Sequence, residues 1–457
     1  MDARKSPKRE PLRPFARAAV SAALSRVLQA GMPADRAMAE ALRPLKWMES
    51  AERHQVHQKL MGTLSALARL SWWLARIGIE RNAPNLLAAH DVFFRGVAPR
   101  AAIKDWAEEP KRGGKPKGAG SGALSLIEGA ELHHKDMDEL TLLEVPPAYA
   151  PFLRKAFGEA FAFEMKGLAA KPDHHLRANT LKSTVSDVSQ VLESQGVVTR
   201  PTALSPLGLK VVRGPDPAET QAFKDGWFET QDEGSQLAAL ILNAKPGERT
   251  LDLCAGAGGK TLVLAAEMAN KGQVVAADTN AGRLKRARTR AARAGAFNID
   301  FRLLDDEGKK WLAKQRFDAV LVDAPCTGTG AWRRNPEAKW TKPDPGLKSL
   351  TAEQDALLAE AAKVLKPKGR IVYVTCSVLQ EENEERIDAF LAAHRDFALA
   401  PAKDAWPKSC AAPYPGGPDP ILRLTPARHG TDGFCVAVLR RHEIAATRPK
   451  TPPQSEG

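Results

Sequence analysis

Asp252-Leu253-Cys254-Ala255-Gly256-Ala257-Gly258-Gly259-Lys260-Thr261 follows a short apolar run and opens a helical pattern. A strand that turns through glycines into a helix is half of a βαβ unit. Outward from it the alternation repeats. Strands are predicted at 250–254, 273–278, 299–304, 317–323 and 369–375. Helices are predicted between most of them, at 259–269, 280–294 and 349–365. This order implies an α/β fold with a mostly parallel sheet and helices on both faces. Ligands of such sheets bind beyond the carboxyl ends of the strands. The chemically notable residues fall there.

Three readings of the glycine loop compete. A phosphate-binding Walker loop needs GxxxxGK[ST]; Gly259-Lys260-Thr261 supplies its end, but Cys254 stands at the first glycine position. A dinucleotide fingerprint needs GxGxxG; Gly256 and Gly258 fit, but Thr261 takes the last glycine position. The third reading is the loop of a nucleoside-type methyl donor, where glycines admit close backbone approach and a helix N-terminus meets a carboxylate. A tight structural turn is the bland alternative. Strand-end acids weigh against it. Asp278 closes 273–278 and can accept the ribose hydroxyls of an adenosine. Asp305 follows the predicted strand 299–304, and Asp323 closes 317–323.

The 457 residues suggest about two to four domains. Hydrophobic residues are 43% and charged residues 26%, which excludes wholesale disorder. Lys+Arg is 67 against Asp+Glu 54, a formal charge of +13, and such an excess favours polyanion partners. Five cysteines without a CxxC pair argue against a disulfide scaffold or zinc ribbon. No apolar run approaches the ~18 residues of a membrane helix. The first residues lack a secretory signal, so a cytoplasmic location is expected.

The predicted organisation is a helical domain at 1–110, a linker and connecting segment at 111–144, a small α+β module at 145–232, the α/β domain at 233–441 and a disordered tail at 442–457. A basic, proline-punctuated arm occupies 1–14. Val20, Leu24, Val27 and Leu28 share one helical face, as do Val56, Leu60, Leu64, Leu67 and Leu70. Glu108 to Gly122 is rich in glycine, lysine and proline and reads as an exposed loop. Leu176 to Lys182 reads as a strand, and Ser183 as the cap of the helix after it.

Asp323-Ala324-Pro325-Cys326 ends one predicted strand and Thr375-Cys376-Ser377 another. Either thiol alone reads as a small buried hydrophobe. Together they suit one reaction. Carbon 5 of cytosine is a weak nucleophile. A thiolate added to carbon 6 makes carbon 5 enamine-like, able to attack an electrophilic methyl group. That needs a reactive thiol, an acid near the ring's N3 and help with elimination. Cys376, Asp323 and Cys326 are candidates for these roles.

The motifs resemble the Sun/NOL/NOP (RsmB-like) family of RNA cytosine-5 methyltransferases. They are LDLCAGAGGKT, VLVDAPCTGTG, AWRRNPEAKW (331–340) and YVTCSVLQEENE (373–384). RANTLK (177–182), FETQDEGSQ (228–236) and RLTPARHGTDGFCVAVLRR (423–441) also occur in family order. The resemblance covers roughly 145–440 and is most like the bacterial type that acts on 16S ribosomal RNA. It implies a Rossmann-like methyltransferase domain with S-adenosylmethionine as cofactor, held by Cys254, Ala255, Gly256, Ala257, Gly258, Gly259, Lys260, Asp278, Asp305 and Asp323. It implies Cys376 as covalent nucleophile, Cys326 as the thiol assisting product release and Asp323 as a contact to the target base. It also implies a helical N-terminal domain similar to the antitermination factor NusB. Cys435 departs from the pattern, standing where the family usually has an aromatic residue.

The expected partner is RNA, with no membrane and no metal. Arg333 and Arg334, near Trp332 and Trp340 and followed by Lys339 and Lys342, are candidate RNA contacts, because cations neutralise phosphate and rings stack unpaired bases. Arg177, Asn179 and Lys182 resemble the family's RNA-side segment. His133-His134 and His174-His175 lack cysteine partners at zinc spacing and read as surface histidines. Glu381, Glu382, Glu384 and Glu385 read as helix-start acids with no catalytic role. The alternatives are a tRNA-directed enzyme of the same family and a non-catalytic RNA-binding ribosome-assembly factor. Retention of both thiols argues against the latter.

Overall fold

The computed structural model describes residues 12–106, 121–341 and 345–442. The expected arm, Gly/Lys-rich loop and tail fall almost wholly outside these, as does Lys342. By internal packing the chain divides into two units. One comprises residues up to Pro172 with Gly328–Gly346 and Thr425–His429; the other comprises Asp173–Thr327, Leu347–Leu424 and the residues from Gly430 on.

The first unit is helical: α1 (Pro14–Ala30), α2 (Ala34–Leu42), α3 (Ser50–Ser65), α4 (Leu67–Arg76), α5 (Ala83–Arg95) and α6 (Pro99–Trp106), followed by shorter helices up to Ala169. Pro14 starts α1, where its missing N–H leaves no bond unmade, and Gly31 ends it in the left-handed region at φ 61. Val20, Leu24 and Val27 are buried as their spacing predicts, with Leu28 only partly so. The second apolar pattern spans two helices rather than one. Ala66, at φ −115 and ψ 21, breaks the run between α3 and α4, yet Val56, Leu60, Leu64, Leu67 and Leu70 all reach one core. The predicted boundary at 145 is corrected. Helices Ala150–Phe157 and Phe161–Ala169 belong to this unit, because Phe161–Ala169 packs against Ala150–Phe157 and against the turn Pro426–His429 of the same unit.

The second unit holds two sheets. The smaller is antiparallel: β1 (His175–Ala178), β2 (Val198–Pro201), β3 (Gly208–Arg213) and β4 (Phe228–Thr230), in the order β2-β3-β1-β4. The helix Val185–Ser194 is capped by Thr184 rather than Ser183. Thr184 and Asp187 form a reciprocal capping box, satisfying two otherwise orphaned N–H groups.

The larger sheet contains β5 (Arg249–Asp252), β6 (Gln273–Asp278), β7 (Ile299–Leu303), β8 (Phe317–Asp323), β9 (Leu365–Thr375), β10 (Phe397–Ala400), β11 (Leu422–Leu424) and β12 (Phe434–Arg441). Its order is β10-β12-β9-β8-β5-β6-β7, with β11 paired to β12. Strands β5 to β9 are mutually parallel, as the alternation predicts. The antiparallel β10, β11 and β12 extend the sheet beyond that prediction. Successive residues serve opposite faces. Ala319 and Leu321 join one core, Val320 and Val322 the other. Burial on both faces is why these strands are continuous apolar runs. Chain order reverses between β5 and β8, so a crevice is expected beyond their carboxyl ends. Cys435 is buried on β12 opposite Thr375, filling the place of the expected aromatic within the apolar core.

Candidate active site

Beyond β5, Gly256 takes φ 56 and Gly258 φ 82. Both values lie in the left-handed region that glycine adopts without penalty. A Cβ on Gly258 would stand 2.9 Å from Cβ of Ala287, so glycine there also allows close packing against the helix Ala281–Ala294. The loop backbone is held from behind. Arg177 Nη1 donates to the Gly259 carbonyl at 2.7 Å and to Gln231 Oε1 at 2.5 Å. Arg290 Nη1 donates to the Ala257 carbonyl at 2.8 Å, while its Nε donates to Glu229 at 3.1 Å. Glu229 also pairs with Arg293.

This placement changes the reading of the RANTLK segment. Arg177 and Asn179 are buried. Asn179 Nδ2 donates to the carbonyls of Gly226 and Ala294, each at 2.8 Å. Lys182, although exposed, donates to the carbonyls of Asp225 and Arg293. Burial pushes the Arg177 pKa down to about 10, against the opposing pull of Glu229. The structure places Arg177 and Asn179 as internal struts, not as surface groups for RNA. A basic residue inside a strand carries no local mark that its charge faces inward.

The strand-end acids gather at one edge. Asp278 accepts from the Gly256 N–H at 2.8 Å and the Asn280 N–H at 2.7 Å, linking β6 to the glycine loop. Asp305, beyond β7, is exposed and caps the helix Asp306–Ala313 through the Gly308 N–H. Asp323, ending β8, accepts from Lys260 Nζ at 2.6 Å. Burial alone would push the Lys260 pKa down, but the Asp323 carboxylate outweighs it and the net shift is upward. Lys260 is therefore held charged, with Cys376 close enough to share its field. Asp252, missed as a candidate, lies beneath. Burial raises it to about 7, although Thr261 Oγ1 donates to its Oδ2 at 2.6 Å. Its buried Oδ1 has no hydrogen-bond partner among the described residues.

The two thiols meet. Cys326 Sγ lies 3.4 Å from Cys376 Sγ across 50 positions of sequence. Both are partly exposed. The other thiols are held protonated by burial: Cys254 well above its usual range, Cys410 up to about 11, and Cys435 upward as well. Below the pair, Glu382 is fully buried. It accepts from the Thr327 N–H at 2.8 Å, Thr327 Oγ1 at 2.5 Å and Gln354 Nε2 at 3.1 Å.

Other expectations change. Trp332 and Arg333 are buried in the helical unit. Trp332 packs edge-on against Tyr149 with ring centroids 5.0 Å apart. Lys339 is buried too, its Nζ on the Glu144 carbonyl at 3.3 Å, and burial lowers it to about 8. Arg334 is half-buried. The Trp332–Trp340 stretch, expected as an exposed contact for RNA, is largely core, because its aromatic rings find apolar partners in the helical unit. His175 is likewise buried, 3.3 Å from Asp232 Oδ2, and is not a surface histidine. Among the described residues, no cluster of three or more His, Cys, Asp or Glu side chains could hold a metal. No helix there is long and apolar enough to cross a membrane.

Comparison with known proteins meets this geometry. Residues 239–440 match the family described as 16S rRNA methyltransferase RsmB/F. A probable ribosomal RNA small subunit methyltransferase B of Bacillus subtilis (strain 168) is 31% identical over 76% of this chain and 80% of its own length. A ribosomal RNA small subunit methyltransferase B of Salmonella paratyphi B is 30% identical over 93% of this chain and 98% of its own. A methyltransferase homologue from Pyrococcus horikoshii, known by crystal structure, superimposes with a TM-score of 0.56 at 30% identity, over 66% of this chain and 98% of that one.

Proposed function

Since the chain belongs to the RsmB/F family of 16S rRNA methyltransferases, we propose that it methylates carbon 5 of a cytosine in small-subunit ribosomal RNA through a covalent Cys376–carbon 6 adduct. The observation that carries the mechanism is the 3.4 Å approach of Cys326 and Cys376 at the ligand edge of the sheet.

The glycine loop fits S-adenosylmethionine. A Cβ on Gly256 would point into open space, its nearest neighbour being the Cys254 carbonyl at 4.0 Å. Residues Cys254 to Lys260 line that cradle. The Asp278 carboxylate is the acceptor for ribose hydroxyls, and Asp305 stands at the adjoining strand end. When bound, this cofactor supplies a methyl group on a positively charged sulfur.

The chain's own residues do the rest. Cys376 adds as thiolate to carbon 6, and the electron pair displaced through the ring is received at N3. The Lys260–Asp323 pair, 2.6 Å apart, supplies the proton that N3 takes up. The cofactor, held by Cys254 to Lys260 and Asp278, would supply the methyl group to carbon 5, its sulfur keeping the electron pair as a neutral thioether. Cys326, as thiolate, removes the carbon 5 proton, Cys376 leaves as thiolate, and N3 returns its proton to the Lys260–Asp323 pair, restoring the neutral aromatic ring. The target base must be unstacked to reach the thiols. RNA is the expected partner, consistent with the +13 charge.

Bisulfite sequencing of 16S rRNA from cells with and without the protein tests the reaction. One cytosine should lose its protection when the protein is absent and regain it with the native chain but not with Cys376→Ala. Unchanged protection throughout would refute the reading.

A further inference from the structure

Two consecutive residues, Glu382 and Asn383, grip the two thiol loops separately. Glu382 ends the short helical turn Gln380–Glu382, and Asn383 precedes the helix Glu384–Ala393. Through its carboxylate, Glu382 holds the loop after Cys326 by both the N–H and the hydroxyl of Thr327. Gln354 ties the same loop from the other side, donating to the Pro325 carbonyl at 2.9 Å and to Glu382. Asn383 holds the loop around Cys376. Its Nδ2 donates to the Ser377 carbonyl at 3.1 Å and the Leu379 carbonyl at 2.8 Å, and its Oδ1 accepts from Thr375 Oγ1 at 2.6 Å. Thr327 Oγ1 and Ser377 Oγ, each one residue beyond a thiol, stand 3.2 Å apart. Tyr373 on β9 fastens the dipeptide itself, donating to the Glu382 carbonyl at 2.7 Å.

We propose that Glu382 and Asn383 are positioning residues that set the separation of Cys326 from Cys376. The proposal rests on the covalent reading only for its consequence in catalysis. Neither residue touches the reacting atoms. Each thiol loop is anchored to one member of this dipeptide, so the sulfurs keep their spacing without a covalent link. A carboxylate buried this deeply is retained only when donors surround it, and the donors here are the N–H and hydroxyl of Thr327 in the loop it positions, together with Gln354. Displacing either loop by about an ångström is enough to lower a preorganised rate by ~100-fold.

The test uses the full chain with isosteric swaps. Glu382→Met keeps the chain length but removes both carboxylate oxygens that accept from Thr327, and Asn383→Asp presents oxygen to two carbonyls. Spacing is read by diamide oxidation. The two thiols give up two electrons and two protons to diamide, which becomes the hydrazine, and a disulfide forms. Mass spectrometry after alkylation follows the rate. Closure of the Cys326–Cys376 pair should slow ~10-fold or more in each variant, and methyl transfer should fall ~100-fold, with cofactor affinity held within about twofold. Thr327→Val, which removes only a hydroxyl, provides the folded comparison should either swap fail to bind cofactor, and it should slow closure in the same direction. Native closure rates in the cofactor-binding variants would overturn the proposal. Because closure requires no RNA, it decides the clamp even if Cys376→Ala retained methyl transfer.

Discussion

Lys260 Nζ and Asp323 Oδ2 are 2.6 Å apart, joining the helix after the glycine loop to the end of β8. This ion pair spans the point where strand order reverses. Lys260 is buried, and Asp323 is about one-third exposed. A charged lysine in such a place is stable only with its partner, so the pair acts as a unit. Lys260→Met should leave Asp323 without its cation and lower methyl transfer by about 100-fold or more. Single-turnover kinetics with saturating cofactor checks this; a change confined to KM for RNA would count against a role in the chemical step.

The thiol pair predicts a division of labour. Cys376→Ala should abolish both methyl transfer and formation of a denaturant-stable protein–RNA adduct. Cys326→Ala should form the adduct and fail to resolve it, so that a slower-migrating band accumulates on a denaturing gel. The reverse pattern would exchange the two roles.

Arg177 should act on the cofactor rather than on RNA. Its guanidinium holds the Gly259 carbonyl at 2.7 Å from inside the fold. Arg177→Ala removes a charged hydrogen bond, worth about 1.5–3 kcal/mol, and loosens the loop. Calorimetric titration should show weaker cofactor binding, with RNA affinity measured separately by filter binding little altered. Loss of RNA affinity alone would restore the surface reading.

Trp332 predicts a stability effect in the helical unit. It is 1% exposed and packs on Tyr149. Trp332→Ala should cost about 3–5 kcal/mol, seen as a lower urea midpoint. Selective loss of RNA binding at native stability would contradict its place in the core.

Asp252 predicts a pH dependence. Burial lifts its folded-state pKa from 3.8 to about 7. The folded chain therefore keeps a proton that the unfolded chain releases. The stability from this group is full below pH 3.8 and is lost as pH rises through about 7. Asp252→Asn cannot lose that proton. Its stability relative to the native chain should rise between pH 4 and 8, by up to about 4 kcal/mol, in paired urea titrations. A constant difference would show that Asp252 ionises alike in both states.

Much of the α/β unit was legible along the chain. Strands buried on both faces must be continuous apolar runs, and a glycine turn into a helix carries its signature in consecutive residues. The predicted strands at 273–278 and 317–323 therefore match β6 and β8 in full. The antiparallel strands β10 to β12 were harder, since Phe397–Ala400 and Leu422–Leu424 are too short to show a period. Arg177, Trp332 and Arg333 are expected on the RNA side, yet all three are buried, because type and spacing say nothing about which way a long side chain turns.

The amino-acid order alone determined the parallel core, the glycine loop and the acids at its strand ends, because each depends on neighbours a few residues apart. Tertiary structure alone decided that Cys326 meets Cys376, that Glu382 lies beneath Thr327 and that Trp332 faces Tyr149. Those contacts join residues tens to nearly two hundred positions apart, and only the packing of sheet and helices brings them within reach.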